Sequence, residues 1–136
     1  MYPPETVVAE KFEAMIRFGE ANSRIKDFYD VWVTTRIFSF DLVNVVKAVG
    51  GTLHNRATAL PTGMPLGLTD VFATIAEARG LWSGFLRRTS PTQTPPSFPD
   101  LQSDLRGFFS PILADLRRPE GAQGVWSPAT RSWRSR

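Results

Sequence analysis

The sequence predicts a mainly α fold, and three observations carry that prediction. Apolar residues recur at helical spacing in several separate stretches of the chain. Most of these stretches are bracketed by proline or a small polar residue in front and by glycine behind. No alternation of apolar and polar residues runs long enough to read as a strand.

Taken in order, Pro3 and Pro4 followed by Glu5 and Thr6 read as a helix start, because proline suits the first turn and an acid suits its positive end. Val7, Val8, Phe12, Met15 and Ile16 then share one side of the wheel, and Gly19 is the expected stop. Asn22 or Ser23 is placed as the cap of a second helix over about residues 24–37, with Ile25, Phe28, Tyr29, Trp32 and Val33 inward. The short link makes these two an antiparallel pair. Asp41 is expected to cap a third helix, Leu42–Val49, closed by Gly50-Gly51. Residues 52–67 read as a loop with one ordered turn. Thr69 caps a fourth helix through Arg79, and Gly80 breaks or bends it before Leu81, Trp82, Phe85 and Leu86 continue the pattern.

SPTQTPPSFP, residues 90–99, reads as an extended linker because of its four prolines. It divides the chain into a helical domain, 1–89, and a C-terminal helix with a basic tail, 100–136. Asp100–Leu116 is helical again, with a kink or restart expected at Pro111. Residues 121–136 contain two tryptophans and no usable periodicity.

Composition excludes several chemistries. The 136 residues hold no cysteine and one histidine, His54, so thiolate nucleophiles, disulfides and multi-histidine metal sites are ruled out. His54 itself reads as a loop or packing residue. The apolar fraction of 42% and the charged fraction of 21% are those of a soluble globular protein. No stretch has the length of a membrane span, and the start does not resemble a secretory signal, so a cytoplasmic location is expected. The net charge of +3 gathers late, with Arg117, Arg118, Arg131, Arg134 and Arg136 set against Glu120 after Asp115. Such an end is compatible with nucleic acid, although a solvated tail is the plainer reading. GxxxxGK[ST] and GxGxxG loops are absent, and no serine sits in a nucleophile elbow.

Two groups of charged residues remain. Lys11 lies inside the edge of the first apolar stripe, where a lysine ordinarily lays its stem on the core and sends its ammonium to water. The sharper reading is a point charge held for phosphate oxygens. Asp27 and Asp30 share a helical face opposite the Ile25/Phe28/Trp32 stripe. That face reads first as a solvated one beside Arg24 and Lys26, and second as a carboxylate pair that holds Mg²⁺ or acts as base and orienter. Arg17 has the same ambiguity.

The stretch Tyr2 to Trp32 resembles the AbiEii/AbiGii toxin family of nucleotidyltransferases from bacterial type IV toxin–antitoxin and phage-abortive systems. The resemblance rests on Tyr2, Pro3, Glu5, Ala9, Glu10, Lys11 and Ala14, then on Asn22, Ser23, Arg24, Lys26, Asp27, Tyr29 and Asp30. Weaker similarity continues through Phe38, Asp41, Arg56, Thr58, Pro61, Trp82, Phe85, Leu86 and the Phe109–Pro111 region, and extends to Trp126–Trp133.

The resemblance implies a nucleotidyltransferase sheet in the N-terminal part of an intact member and a largely helical C-terminal part, to which this chain corresponds. It implies Lys11 as a catalytic lysine in contact with nucleotide phosphate, and Asp27 as the catalytic aspartate, with Asp30 as the alternative. Arg24 and Lys26 become further phosphate contacts, and no metal ligand is implied in this chain. For an intact member the resemblance implies Mg²⁺ and an NTP, a cognate antitoxin, and an RNA or protein acceptor. The match begins at Tyr2, and no D-x-D occurs in the 136 residues. The expectation is therefore a C-terminal portion that lacks the G-S-x-x-x-x-D-x-D region and catalytic sheet, and is inactive until joined to the N-terminal half. The competing expectation is a non-catalytic helical module that binds a protein partner or nucleic acid through the basic end and exposed tryptophans. A third is a degenerate product whose uncovered helix faces leave it loosely packed.

Overall fold

The computed structural model describes residues 2–89 and 96–135 and is mainly α. Six helices are described: α1 (Pro4–Phe18), α2 (Ile25–Ile37), α3 (Leu42–Asn55), α4 (Asp70–Ala78), α5 (Leu81–Arg88) and α6 (Phe98–Arg117). Three short strands, β1 (Phe40–Asp41), β2 (Val125–Ser127) and β3 (Ser132–Arg134), form an antiparallel sheet in the order β1-β2-β3.

Helix α1 starts on Pro3 with Pro4 in its first turn, and it stops at Gly19, whose φ of 52° belongs to glycine. A single 3₁₀ turn, Gly19–Ala21, folds α2 back beside α1. The residue that caps α2 is Arg24, without a side-chain bond, not Asn22 or Ser23. Asn22 acts one step earlier, where its Oδ1 accepts from the Arg24 amide at 2.7 Å and shapes the turn.

Helix α3 does not close at Gly50-Gly51 but runs on to Asn55. Two mid-helix glycines cost about 1 kcal/mol each. Beyond them Leu53 is buried in the core, and a burial of that kind contributes about 1.5–3 kcal/mol. Gly50 also faces α6, since a Cβ there would meet Leu116 Cδ2 at 3.1 Å. The following loop contains a 3₁₀ turn, Leu66–Leu68, and then Thr69, which caps α4 by accepting from the Phe72 amide. Gly80 separates α4 from α5 in the left-handed conformation, φ 63°.

Most of the Pro-rich stretch lies outside the described residues. Helix α6 begins at Phe98, capped by Ser97, and Asp100 lies in its first turn. It continues through Pro111 without a restart, a correction to the expected interruption. Proline withholds one donor at a cost of about 3 kcal/mol. Leu105, Phe108, Phe109, Ile112 and Leu113 flank that position and are all buried, so packing holds both halves in one helix.

One hydrophobic cluster joins α1, α2 and α3 to α6 and to Trp126 of β2, across the stretch read as a linker. The tail is structured because its tryptophans belong to this core. Trp126 is 3% exposed, and Trp133 packs against the cluster. Phe108 meets Trp126 edge-on at 4.9 Å and Trp133 at 5.4 Å. Each indole finds an acceptor: Trp126 Nε1 donates to Thr35 O at 2.7 Å and Trp133 Nε1 to Phe108 O at 2.9 Å. The expected exposure of these two rings is thus corrected. Strands of two or three residues leave no periodic trace in a sequence, which is why the sheet goes unseen there.

Candidate phosphate-handling site

Lys11 lies midway along α1 between Val8 and Met15, both fully buried, so its stem runs along the core margin. Its ammonium does not go to water. Nζ donates to Asp27 Oδ1 at 3.0 Å and to Asp30 Oδ2 at 3.2 Å, both on the first turns of α2. The tight turn after Gly19 brings these residues together across 16 and 19 positions of sequence. The α2 N-terminus adds its own positive potential beneath Asp27.

The aspartates are not on a solvated face. Asp27 retains 8% of its side-chain exposure and Asp30 24%. They tuck against α1 because α2 packs on it, a neighbour that a wheel of α2 alone cannot represent. Arg24 Nε stands 2.9 Å from Asp27 Oδ2 without hydrogen-bond alignment, and Lys26 Nζ donates to Asp30 Oδ2 at 2.8 Å. Lys11, Arg24, Lys26, Asp27 and Asp30 therefore meet in one cluster, whereas Arg17 pairs with Glu13 instead. His54 lies apart from it, exposed on the last turn of α3.

Burial depresses the pKa of the Lys11 ammonium, but the hydrogen bond and charge of Asp27, with those of Asp30, outweigh it. The net shift is upward, so the lysine is fully charged at neutral pH. Three cations against two carboxylates leave one net positive charge among Lys11, Arg24, Lys26, Asp27 and Asp30. That balance, with both carboxylates already engaged by cations, suits an anion. It does not suit Mg²⁺, which needs carboxylates free to face it.

Lys11 and Arg24 also line a cleft of about 480 Å³ together with Glu10, Glu13, Arg17 and Arg56. Glu13 was not singled out in the sequence. It is 1% exposed, accepts from Arg17 Nε at 2.9 Å and Nη2 at 3.2 Å, and accepts from Thr58 Oγ1 at 2.6 Å. Burial raises its pKa, and the hydrogen bonds of Arg17 and Thr58 with the charges of Arg17 and Arg56 reverse this to a net lowering. The i,i+4 spacing of Glu13 and Arg17 is visible in the sequence, but the partners supplied by residues 56 and 58 are not. A second, more apolar cleft of about 540 Å³ runs between α4, α5 and the start of α6, and none of the cluster residues line it.

The structure thus places a charged lysine between two carboxylates at the mouth of a cleft lined by more cations than carboxylates. The family described as nucleotidyl transferase AbiEii toxin, type IV toxin–antitoxin system, matches residues 1–104, and the chain belongs to it. Neither the curated proteins nor the solved structures offer a match. Membership assigns a toxin-related, nucleotidyltransferase-like role within a system that pairs a toxin with an antitoxin. None of the described helices is long and apolar enough to cross a membrane.

Proposed function

We propose that the chain carries the distal part of a nucleotidyltransferase active site, transferring a nucleotide from an NTP to an RNA or protein acceptor. The observation that supports this reading is Lys11 Nζ bridging Asp27 and Asp30 beside a cleft whose lining bears four cations and two carboxylates. Lys11 serves as a compact charge for the phosphate oxygens of the nucleotide, and Arg24 and Lys26 flank it. Asp27, the more buried carboxylate, positions the ammonium and takes the proton of the attacking hydroxyl. Asp30 is the alternative for that role. The hydroxyl oxygen forms the new bond to the α-phosphorus, and pyrophosphate leaves as the α–β bridge breaks.

Metal-bridged phosphates are the usual electrostatic partner of this chemistry. The Lys11 cluster does not fit as their ligand set. On this reading the metal-holding carboxylates come from outside the Lys11 cluster.

The test joins the chain to a G-S-x-x-x-x-D-x-D nucleotidyltransferase sheet of the same family and supplies labelled NTPs, Mg²⁺ and cellular RNA and protein. The expected outcome is label on one acceptor class, lost in Lys11→Met and Asp27→Asn. Equal labelling by Lys11→Met and the unaltered chain would exclude the assigned role.

A further inference from the structure

We propose that Arg17 and Arg56 form a second phosphate-binding wall of the cleft, facing the Lys11 side, with Glu13 as the residue that positions them. The inference rests on the reading of the cleft as a nucleotide site and extends it to residues that neither the motif nor the family match assigns.

The argument starts from Glu13. A carboxylate that is 1% exposed on the floor of a polar cleft is costly unless it is fully partnered, and it gains little stability over an apolar side chain of similar size. Here both oxygens are occupied. Arg17 reaches them as a fork, Thr58 donates to Oε2, and Arg56 Nε stands 3.9 Å from Oε1. The result is two guanidinium groups from different parts of the chain, one on α1 and one just beyond α3, aimed by one buried anion.

Each guanidinium keeps donors in reserve, since five N–H groups exceed what the carboxylates accept. Arg17 is 41% exposed and Arg56 49%, so the unused donors face the cleft and solvent. Arg56 also holds Glu10 through Nη2 at 2.8 Å, a surface pair that is weak and exchangeable.

Phe18 adds an independent constraint. The Arg17 guanidinium lies 4.4 Å from its ring centre and that of Arg24 lies 5.7 Å away, so one ring supports arginines from both helices. Arg24 in turn has no aligned hydrogen bond to Asp27 Oδ2 and is available to a ligand. Three guanidinium groups and the Lys11 ammonium thus border one cleft whose lining carries two more positive than negative charges. Planar forks of this kind match phosphate oxygens in pairs. The ligand class is a phosphate oxyanion, supplied either by the triphosphate of a nucleotide or by a nucleic-acid backbone.

The experiment measures binding of inorganic tripolyphosphate, and separately of a single-stranded RNA oligonucleotide without a 5′-triphosphate, to the full chain by calorimetry at two salt concentrations. Arg17→Gln and Arg56→Gln are each expected to weaken binding about tenfold and to lower its salt dependence. Arg56→Lys should recover only part of the loss, because a lysine lacks the fork. Glu13→Gln should weaken binding while both arginines remain, a loss that a merely structural role for Glu13 would not produce once the variant's folded state is verified by its melting curve.

Tripolyphosphate bound without loss in Arg17→Gln and Arg56→Gln, but lost in Lys11→Met, would overturn the second wall and leave the lysine reading intact. The reverse pattern would retain the wall and remove the lysine. No binding of either probe by the unaltered chain would overturn both. Arginine-dependent binding of tripolyphosphate alone identifies the nucleotide tail as the ligand, and arginine-dependent binding of the oligonucleotide identifies the acceptor backbone.

Discussion

The two ends of the folded chain handle buried polarity in opposite ways. At the C-terminal clasp, buried polar atoms are neutral and paired with backbone: the indoles of Trp126 and Trp133 donate to the Thr35 and Phe108 carbonyls from within an aromatic cluster. On the α1–α2 face, buried polar atoms are charged and paired with one another, as Lys11 with Asp27 and Glu13 with Arg17. Neutral pairs inside apolar packing add stability at little desolvation cost. Buried ion pairs roughly break even and persist where chemistry needs them. The clasp therefore holds the molecule together, and the α1–α2 face carries the proposed site.

The sharpest way to break this contrast is Trp126→Ala. It removes a fully packed indole and leaves Thr35 O unpaired, so the loss should be about 3–5 kcal/mol, read from urea denaturation. A loss below 1 kcal/mol would mean that the clasp is ornamental to stability.

Lys11→Met should cost less. Breaking a buried pair from one side leaves an uncompensated carboxylate, a penalty of about 3–5 kcal/mol for full burial; partial exposure of Lys11 and the nearby Arg24 reduce it to about 2 kcal/mol. The double variant Lys11→Met/Asp27→Asn should recover part of that loss, since it removes the orphaned charge. If the double variant is instead less stable than either single one, the face contributes stability through packing and the contrast fails.

The contrast also predicts a pH profile. The pKa of Glu13 is lower in the folded chain than its ordinary 4.5. Its contribution is therefore fully present above that value and is lost as pH falls through the lower, folded one. The Lys11 pKa is raised above 10.5, so its contribution is complete below that value and is lost only as alkali carries pH through the higher, folded one. Between these limits the two groups leave stability flat. Glu13→Gln should shallow the acid limb in denaturant titrations and leave the neutral plateau without slope. An acid limb equally steep in the variant would assign the transition to other carboxylates.

The smallest expected effect is a gain. Gly51 lies within α3, and a Cβ there would meet nothing within 4 Å. Gly51→Ala should stabilise the chain by about 0.5–1 kcal/mol through helix propensity, seen as a small rise in melting temperature. Gly50→Ala, crowded by Leu116 at 3.1 Å, should gain less or lose.

The helices were legible because their apolar stripes repeat locally and their ends carry local chemistry, as at Pro3–Pro4, Thr69 and Gly80. The five charged residues were legible through a motif that they share with a family, whereas their positions on a wheel pointed the other way. Periodicity in α2 placed Asp27 in water because it describes one helix without its neighbour. Gly50-Gly51 was misread as an end, and a restart allowed for at Pro111 does not occur, because local propensity is worth about 1–3 kcal/mol and burial on both sides exceeds it.

By itself the sequence determined the helical class, most of the element boundaries and the exclusion of thiol and multi-histidine chemistry, and it singled out Lys11, Arg24, Lys26, Asp27 and Asp30 as candidates. Only the tertiary structure decided that the tail closes the core, that Lys11 faces two carboxylates instead of solvent, and that Glu13 gathers Arg17, Arg56 and Thr58 beside it. The reason is separation along the chain. Contacts across 45 or 91 positions leave no periodic signal in sequence, and they form only when packing carries the elements that bear them into register.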